Sequence, residues 1–439
     1  MRVSRSIRLL VPAMIMAVSG MAQDKNFHIY LCLGQSNMQG SSFVEPMDRL
    51  DVSERFKVMS TVDYADGTRV KGEWYTAVPP LVNQNYGLTP MDYFGRTMAA
   101  NLPDNIKIGV IPVAVAGCRI EHYDKNFDQD SLKNAPDWFK NIMSGYDNHP
   151  YNALVKYGRK AQKEGVIKGI LLHQGESNTG DTEWPAKVNE IYRNLLADLG
   201  LNADEVPLLA GEVVTTEQGG VCGAMNAIID SLPNTIPTAH VVSAANIPQR
   251  GDNSHFSSHG YRVLGCRYAT TMLALMGIDN PRVDYPENEP CIPRPDHSEG
   301  DFTFSLDRFN PVMCEIGEFD CDTRKFKTKS NSFGGWYYEK PVDISGYKYI
   351  VAELEEAPSA DVKFQIYDST DHWFKHFTTG FNGKKLVVIA LAGATKNSDS
   401  EPEALDTSAI HMLGFKTDAP TTIAIKRVYV TDTPPASVE

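Results

Sequence analysis

The sequence lacks two features that would point to nucleic acid or membranes. It has no surplus of basic residues, because 42 lysines and arginines stand against 55 aspartates and glutamates, a net charge of −13. Binding of nucleic acid or of an anionic membrane surface needs a basic face, so neither partner is expected. Beyond residue 22, no apolar stretch reaches the roughly 20 residues that a membrane span needs.

Cysteine is also scarce, and its spacing is not that of a metal site. The seven cysteines form no CxxC pair and no cluster with histidine, so we predict no metal and no cofactor. Cys32, Cys222 and Cys266 lie in apolar runs and are expected to be small buried residues. The candidates for a disulfide, which lie in irregular sequence, are Cys291, Cys314 and Cys321.

Residues 1–22 form the one segment with the pattern of a targeting signal. Three arginines precede the apolar stretch "LLVPAMIMAVSGMA", which ends in small residues. A membrane anchor is the alternative, but roughly 14 apolar residues are too few to cross a bilayer. We therefore predict a signal peptide cleaved near Ala22 and an exported protein, periplasmic or extracellular.

Five apolar runs alternate with helical patterns over residues 23–279. The runs are nearly continuous in apolar character, as in strands that are covered on both faces. Strand-helix alternation of this kind predicts an α/β domain with a parallel sheet and helices on both sides. The five runs are 27–34, 106–117, 167–175, 206–214 and 239–246.

The pattern changes after residue 279. Residues 280–300 are rich in proline and show no periodicity, so they are predicted to be a linker. Residues 301–439 contain short, β-branched, partly alternating runs, which predict an all-β sandwich, jelly-roll-like, that binds carbohydrate or has a structural role. Four aromatic residues there suit either a packed core or a sugar-stacking surface: Trp336, Tyr337, Tyr338 and Trp373.

Polar residues follow the predicted strands of the first domain. Ser36 comes directly after the first run, and Asp252 and His255 follow the fifth. Ligands of open parallel sheets bind beyond the carboxyl ends of the strands, so these residues are expected at one edge. Serine becomes a nucleophile when a histidine takes its proton and a carboxylate orients that histidine. We therefore predict Ser36 as nucleophile, His255 as base and Asp252 as its orienting group.

Acyl transfer also needs donors for the negative oxygen of the tetrahedral intermediate. Three sources follow the first three runs: the amide N–H of Ser36, the amide N–H of Gly117 and the side chain of Gln174. Glycine suits the second position because it has no Cβ to block close approach. A structural role in the loop is the alternative for Gln174.

Four segments of the sequence resemble the sequence blocks of the SGNH hydrolase superfamily: "GQSNMQG", "VAVAGCRIEHY", "HQGESN" and "DNSHFSSHGYRVLG". They are most similar to its carbohydrate esterase branch, which includes sialate O-acetylesterases and acetyl xylan esterases. The resemblance implies a flavodoxin-like three-layer α/β/α fold, metal-independent deacetylation of sugars, and the roles given above to Ser36, His255, Asp252, Gly117 and Gln174.

Further residues near the predicted triad are candidates for the substrate pocket. Gln35, Glu176 and Asn178 are candidates for contact with the sugar, and for Glu176 and Asn178 the alternative is to orient Gln174. Arg119 stands where the branch usually has small polar residues; it suits either a sugar carboxylate or a solvated salt bridge. Two other histidines are weaker candidates for catalysis, His259 as a rival base within a helix and His173 as a buried core residue.

These expectations favour an exported serine esterase that removes O-acetyl groups from carbohydrates. The alternative is a glycan-binding protein that uses the esterase fold as a scaffold, although no member of the triad is missing. A lipase-like specificity is less favoured, because the chain has no long apolar lid segment.

Overall fold

The fold is that of a computed structural model, which describes residues 23–283, 285–287, 294–306, 309, 316–320, 325–328, 332–368, 375–397 and 402–435. The predicted signal peptide, Trp373 and the three disulfide candidates lie outside these residues. Cys32 and Cys266 are buried free thiols, as expected, and Cys222 is partly buried. Among the described helices, none combines the length and the apolar character needed to cross a bilayer.

The first sheet has seven strands in the order β3-β2-β4-β1-β5-β6-β7. All neighbours are parallel except the edge strand β3, which pairs antiparallel with β2. The five predicted runs correspond to β1, β4, β5, β6 and β7, and they lie in the flavodoxin-like order. The strands are β1 (Phe27–Gly34), β2 (Phe56–Met59), β3 (Trp74–Thr76), β4 (Lys107–Ala114), β5 (Val166–His173), β6 (Leu208–Gly211) and β7 (Ala239–Val242).

Helices cover both faces of this sheet. The α-helices are α1 (Ser36–Gln39), α2 (Pro46–Arg49), α3 (Pro90–Asn101), α4 (Asp137–Ser144), α5 (Pro150–Ala161), α6 (Trp184–Leu199), α7 (Asn226–Ile229), α8 (Leu232–Thr235) and α9 (Ser258–Leu275). Short 3₁₀ turns span Ile120–Tyr123, Gln129–Asn134, Glu176–Asn178, Thr216–Gln218, Gly223–Met225 and His297–Glu299.

The two faces of the sheet bury separate sets of apolar side chains. Along β1, Ile29 and Leu31 point into the layer of α5 and α6, whereas Tyr30 and Cys32 point into the layer of α3 and α9. Nearly all residues of the central strands β1, β4 and β5 are therefore buried, which explains why the runs are almost continuously apolar. The predicted α/β/α fold is confirmed; the correction is the added pair β2 and β3, too short and too irregular in its surroundings for the sequence pattern to reveal.

The second part of the chain is built from antiparallel strands. Two sheets enclose one apolar core. The first has the order β15-β12-β19-β10-β9, with β8 also paired to β19, and the second has the order β11-β18-β13-β14. The strands are β8 (Phe302–Thr303), β9 (Ile316–Asp320), β10 (Lys325–Thr328), β11 (Ser332–Val342), β12 (Tyr349–Leu354), β13 (Val362–Tyr367), β14 (Phe377–Gly380), β15 (Leu386–Ala390), β16 (Thr395–Lys396), β17 (Glu403–Ala404), β18 (Ile410–Thr417) and β19 (Thr422–Thr431).

The predicted sandwich is confirmed as an antiparallel β domain, and the domain boundaries stay a prediction. Trp336 is buried in the core of the sandwich. Tyr337 instead packs against Phe43 of the first domain, with ring centroids 3.9 Å apart. Within the predicted linker, Tyr285 is buried against the layer of α3 and α9.

Candidate active site

The carboxyl ends of three strands meet where Ser36 begins α1. Gly34 ends β1 and lies opposite Ala114 of β4 and His173 of β5. A Cβ on Gly34 would lie only 2.1 Å from the carbonyl oxygen of His173, so only glycine lets the chain turn here. Ser36 therefore leaves the strand at the edge of the sheet, where its side chain stays partly exposed.

Ser36, His255 and Asp252 form a continuous hydrogen-bonded chain. His255 Nε2 lies 2.8 Å from Ser36 Oγ, and His255 Nδ1 lies 2.7 Å from Asp252 Oδ2. Asp252 Oδ1 accepts hydrogen bonds from the backbone N–H groups of Ser254 and His255, at 3.0 and 2.9 Å. Burial would raise the pKa of Asp252, but the bonds from His255 outweigh it and hold this pKa well below its usual value. The carboxylate is therefore ionised and orients the imidazole.

A tight loop before α9 places Asp252 and His255. Asn253 has a φ of +60°, and its backbone N–H donates to Gln249 Oε1 at 3.0 Å. Gln249 Nε2 donates back to Asn253 Oδ1 at 3.0 Å. The side chain of Ser257 then caps α9 by accepting from the N–H of Gly260 at 2.9 Å. These local bonds turn a three-residue spacing into a carboxylate that faces the imidazole.

Asn37 joins this loop to the segment that carries Ser36, a role that sequence reasoning missed. Asn37 Nδ2 donates to the carbonyl oxygen of Ser254 at 3.0 Å. Asn37 Oδ1 accepts from the hydroxyl of Tyr261 at 2.7 Å and from the N–H of Phe256 at 3.3 Å. Its position directly after Ser36 was the only signal in the sequence.

Gly117 lies at the same edge, three residues beyond Ala114, which is the register partner of Gly34. Its φ is +72°, a conformation that favours glycine. A Cβ at this position would lie 2.8 Å from the indole of Trp138, so the ring is in contact with the glycine backbone. Trp138 is 54% exposed and lies in a segment with no sequence pattern that could have marked it.

Gln174, Gln35 and Asn178 lie inside the protein, at 1%, 3% and 1% exposure. Gln174 Nε2 donates to Gln35 Oε1 at 3.0 Å, to Asn178 Oδ1 at 2.8 Å and to the Cys118 carbonyl at 3.3 Å. Trp184 Nε1 donates to Gln174 Oε1 at 2.6 Å. Gln174 could reach an oxyanion only by exchanging one of these acceptors, so that role stays a prediction.

The sugar contacts predicted for Gln35 and Asn178 stay predictions, since both side chains bond groups inside the protein. Gln35 Oε1 accepts from the N–H of Ser177 at 3.2 Å, and Asn178 Oδ1 accepts from the N–H of Ile120 at 2.8 Å. Buried polar groups need such partners, and here they are backbone groups of the loops beyond β4 and β5. These two side chains therefore shape the loops from within.

Glu176 is also largely buried, with its side chain 9% exposed. Its Oε1 accepts a hydrogen bond from Asn37 Nδ2 and lies 4.0 Å from His173 Nε2. Burial raises the pKa of Glu176. This buried carboxyl supports the Ser36 segment through Asn37, and the sugar contact stays a prediction.

Arg119 is half exposed and has protein partners. Its Nη1 donates to the carbonyl oxygen of Ser177 at 2.9 Å. It forms ion pairs with Glu121 at 3.4 Å and with Asp181 at 3.7 Å, and Lys187 contacts the same two carboxylates at 2.7 Å each. The surroundings favour the salt-bridge interpretation, since both nearby acids are shared with a second cation.

The two other candidate histidines, His259 and His173, are buried, and their rings have partners outside the hydrogen-bonded chain of Ser36, His255 and Asp252. His259 is buried, with Nδ1 at 2.9 Å from the hydroxyl of Tyr285 and Nε2 at 2.8 Å from the carbonyl oxygen of Glu287. His173 is fully buried, and burial lowers its pKa to about 3. Among the described residues, no group of three or more histidine, cysteine, aspartate or glutamate side chains could hold a metal ion.

A family model described as "Carbohydrate esterase, sialic acid-specific acetylesterase" matches residues 26–274, more than half of the chain. The matched range contains all three members of the hydrogen-bonded chain.

Solved structures also match, at low identity. A protein from Arabidopsis thaliana is 22% identical over 56% of this chain and 98% of its own, with a TM-score of 0.44. NanS is 19% identical over 58% of this chain and 99% of its own, with a TM-score of 0.43. A carbohydrate acetylesterase from Xanthomonas citri is 15% identical over 93% of this chain and 81% of its own, with a TM-score of 0.39.

Proposed function

This chain belongs to the carbohydrate esterase family of sialic acid-specific acetylesterases, and we propose that it removes O-acetyl groups from carbohydrates by a Ser-His-Asp mechanism. The observation that carries the proposal is the chain of contacts from Ser36 Oγ through His255 to Asp252, at 2.8 and 2.7 Å. Both distances lie within the range in which a proton can be shared.

In the proposed reaction, Ser36 Oγ attacks the carbonyl carbon of the acetyl ester while His255 Nε2 takes its proton. Asp252 stabilises the imidazolium that forms. The tetrahedral intermediate then breaks its bond to the sugar oxygen, which receives the proton from His255 and leaves as an alcohol. Water repeats the sequence on the acetyl-serine, so acetate leaves and the Ser36 hydroxyl is restored.

Backbone N–H groups would stabilise the negative oxygen of the intermediate. Those of Ser36 and Gly117 are the candidates, because both follow strands that end at this edge. Gln174 would join them only if its amide exchanged an interior partner. Its present bonds suit it to holding the loops beyond β4 and β5 in place.

Trp138 supports a sugar as the leaving group. An exposed indole in contact with Gly117 offers an apolar face within reach of the ester site. Sugar rings present apolar C–H faces, and aromatic side chains bind such faces while leaving the hydroxyl groups in water. Export to the periplasm or beyond stays a prediction, which the mass of the secreted protein would decide.

Replacing Ser36 with alanine tests the mechanism. We expect release of acetate from an acetylated polysaccharide, and turnover of a chromogenic acetate ester, to fall by about a thousandfold or more. Ser131→Ala is the matched control, because Ser131 is an exposed serine whose hydroxyl bonds only its own turn. Undiminished turnover by Ser36→Ala would exclude the mechanism, and binding of the polysaccharide by wild type without acetate release would favour the non-catalytic alternative.

A further inference from the structure

Arg250 contacts the triad without belonging to it. Its Nε donates to Asp252 Oδ2 at 2.7 Å, and the same oxygen lies 2.7 Å from His255 Nδ1. Its backbone N–H donates to the carbonyl oxygen of His255 at 2.9 Å. Asp252 Oδ1 is occupied by two backbone N–H groups. The carboxylate is therefore held from both sides, and among the described residues Arg250 provides the one side-chain hydrogen bond besides that of His255.

Arg250 also reaches the segment that carries the nucleophile. Its Nη1 donates to the carbonyl oxygen of Ser41, and Ser41 Oγ donates to the carbonyl oxygen of Ser36 at 3.1 Å. One planar guanidinium thus joins the Asp-His loop to the Ser36 segment, with two nitrogens at a fixed spacing. A lysine carries its three N–H donors on a single nitrogen and cannot reproduce this fixed spacing.

Two other titratable groups face this loop from neighbouring elements. Glu176, after β5, bonds Asn37 and lies near His255. Tyr261, on α9, donates to Asn37 Oδ1 at 2.7 Å. Both groups bond Asn37, and the positive charge of Arg250 also acts on the Tyr261 hydroxyl. A change at Arg250 alters the compensation of the Asp252 charge, while Glu176 and Tyr261 keep their bonds to Asn37.

We propose that Arg250 is a positioning residue of the esterase, which fixes Asp252 for His255 and offsets part of the negative charge of that carboxylate. The inference rests on the proposed triad. When Ser36 Oγ gives its proton to His255 Nε2, the imidazolium is stabilised by the negative charge of Asp252. A guanidinium on the same carboxylate oxygen offsets part of that charge.

Arg250→Gln tests the charge. The glutamine leaves Asp252 uncompensated, so the imidazole binds a proton more readily and the acidic limb of the kcat/KM profile moves to higher pH. Because Arg250 is about one-third exposed, solvent screening limits the expected shift to about half a pH unit to one unit. The looser carboxylate should also lower kcat at the optimum by about tenfold.

Arg250→Lys separates charge from geometry. It keeps the positive charge, so the acidic limb should stay at the wild-type pH, but the link to Ser41 or to Asp252 is lost and kcat should still fall by about tenfold. Arg267→Gln is the matched control, since Arg267 bonds the carbonyl oxygens of Ser243 and Ala245 and the carboxylate of Glu287, away from the triad. It should leave the limb unmoved.

The measurement is a pH profile on a small acetate ester, with far-UV circular dichroism to verify folding. An unmoved limb in Arg250→Gln, or an equal shift in Arg250→Lys, would overturn the inference. If Arg250→Gln does not fold, wild-type kcat in Arg250→Lys would overturn it. Ser36→Ala distinguishes the two proposals. Full turnover by that variant contradicts the proposed function. If that variant is inactive but the pH profiles of the Arg250 variants match wild type, only the role of Arg250 is contradicted.

Discussion

At the scale of single residues, function depends on which partner each polar side chain finds. Ser36 and His255 are partly exposed and face each other. Gln174 and Asn178, which both belong to the block "HQGESN", are buried among interior partners. A buried amide that donates to several acceptors is held too firmly to turn toward a substrate without loss. Whether a polar side chain supports the site from inside or faces the solvent at its surface therefore depends on its burial and its partners.

Trp138→Ala tests the proposed sugar platform at this scale. We expect kcat/KM for an acetylated oligosaccharide to fall by about 10- to 100-fold, mainly through KM, because covering an exposed indole contributes about 1.5–3 kcal/mol. Turnover of ethyl acetate, which has no ring to stack, should change by less than about twofold. Steady-state kinetics on both esters measure the difference.

Two further variants control this experiment. Trp138→Phe should keep part of the oligosaccharide activity, because the smaller ring still offers an apolar face. Leu275→Ala removes a side chain that is comparably exposed, at 43%. Leu275 lines a cavity together with Lys25, Pro207 and Thr238. These three residues precede β1, β6 and β7, so the cavity lies at the opposite edge of the sheet from Ser36. Leu275→Ala should change the turnover of neither substrate. Equal losses on both esters in Trp138→Ala would rule out the platform.

At the scale of elements, the last residue of β5 packs in the interior and also supports the segment of Ser36. This residue, His173, is fully buried, with Nδ1 at 3.3 Å from the hydroxyl of Tyr268. The carbonyl oxygen of His173 accepts from the N–H of Gln35 at 3.0 Å, next to Ser36. The strand thus supports the turn that carries Ser36, the proposed nucleophile, while keeping its own histidine neutral in the interior.

His173 makes the stability of the fold depend on pH. Burial lowers its folded-state pKa to about 3, below the ordinary 6.5, so its stabilising contribution is complete above pH 6.5 and is lost as the pH falls. From pH 7.5 to pH 5, wild type should lose about 2 kcal/mol more stability than His173→Leu, which has no proton to exclude. Urea unfolding at both pH values measures this difference.

His240→Gln is the control for that measurement, because His240 lies on β7 and is only partly buried. It should keep the pH response of wild type. Equal losses of stability in wild type and His173→Leu between the two pH values would show that His173 is not kept neutral by burial.

At the scale of the whole molecule, the β-sandwich touches the α/β part of the chain beside the candidate active site. Tyr337 of β11 packs on Phe43 with an interplanar angle of 36°. Phe43 belongs to the segment that follows Ser36, and its carbonyl oxygen accepts from Ser258 Oγ at 2.8 Å. In the same segment, Ser42 Oγ donates to the carbonyl oxygen of Phe256 at 2.6 Å. The sandwich thereby supports both loops of the triad.

Tyr337→Ala tests this support. Loss of the ring pair, worth about 0.5–1.5 kcal/mol, should lower kcat for a small ester by about 2- to 10-fold. Phe43→Ala should have a similar effect, and the double variant should lose no more than the worse single variant, because both changes remove one contact. Tyr338→Ala, which thins the core of the sandwich, should lower stability while leaving kcat unchanged. Additive losses would contradict the coupling.

The sequence by itself determined the layered α/β fold of the first part, the antiparallel β character of the second part and the family. These follow from apolar periodicity and from short blocks that stay together along the chain, such as "GQSNMQG" and "DNSHFSSHGYRVLG". Because parallel strands end at one edge, the sequence also predicted that Ser36 and His255 would meet, although 219 residues separate them.

Only the tertiary structure decided which side chains face the solvent at that edge. The side chains of Gln35 and Asn178 point inward. Trp138 contacts Gly117. Arg250 bonds both Asp252 and Ser41. These outcomes depend on loops that have no periodicity and on partners far away in the chain. A local pattern specifies where a strand ends, but the burial and hydrogen bonding of a loop side chain depend on every element packed around it.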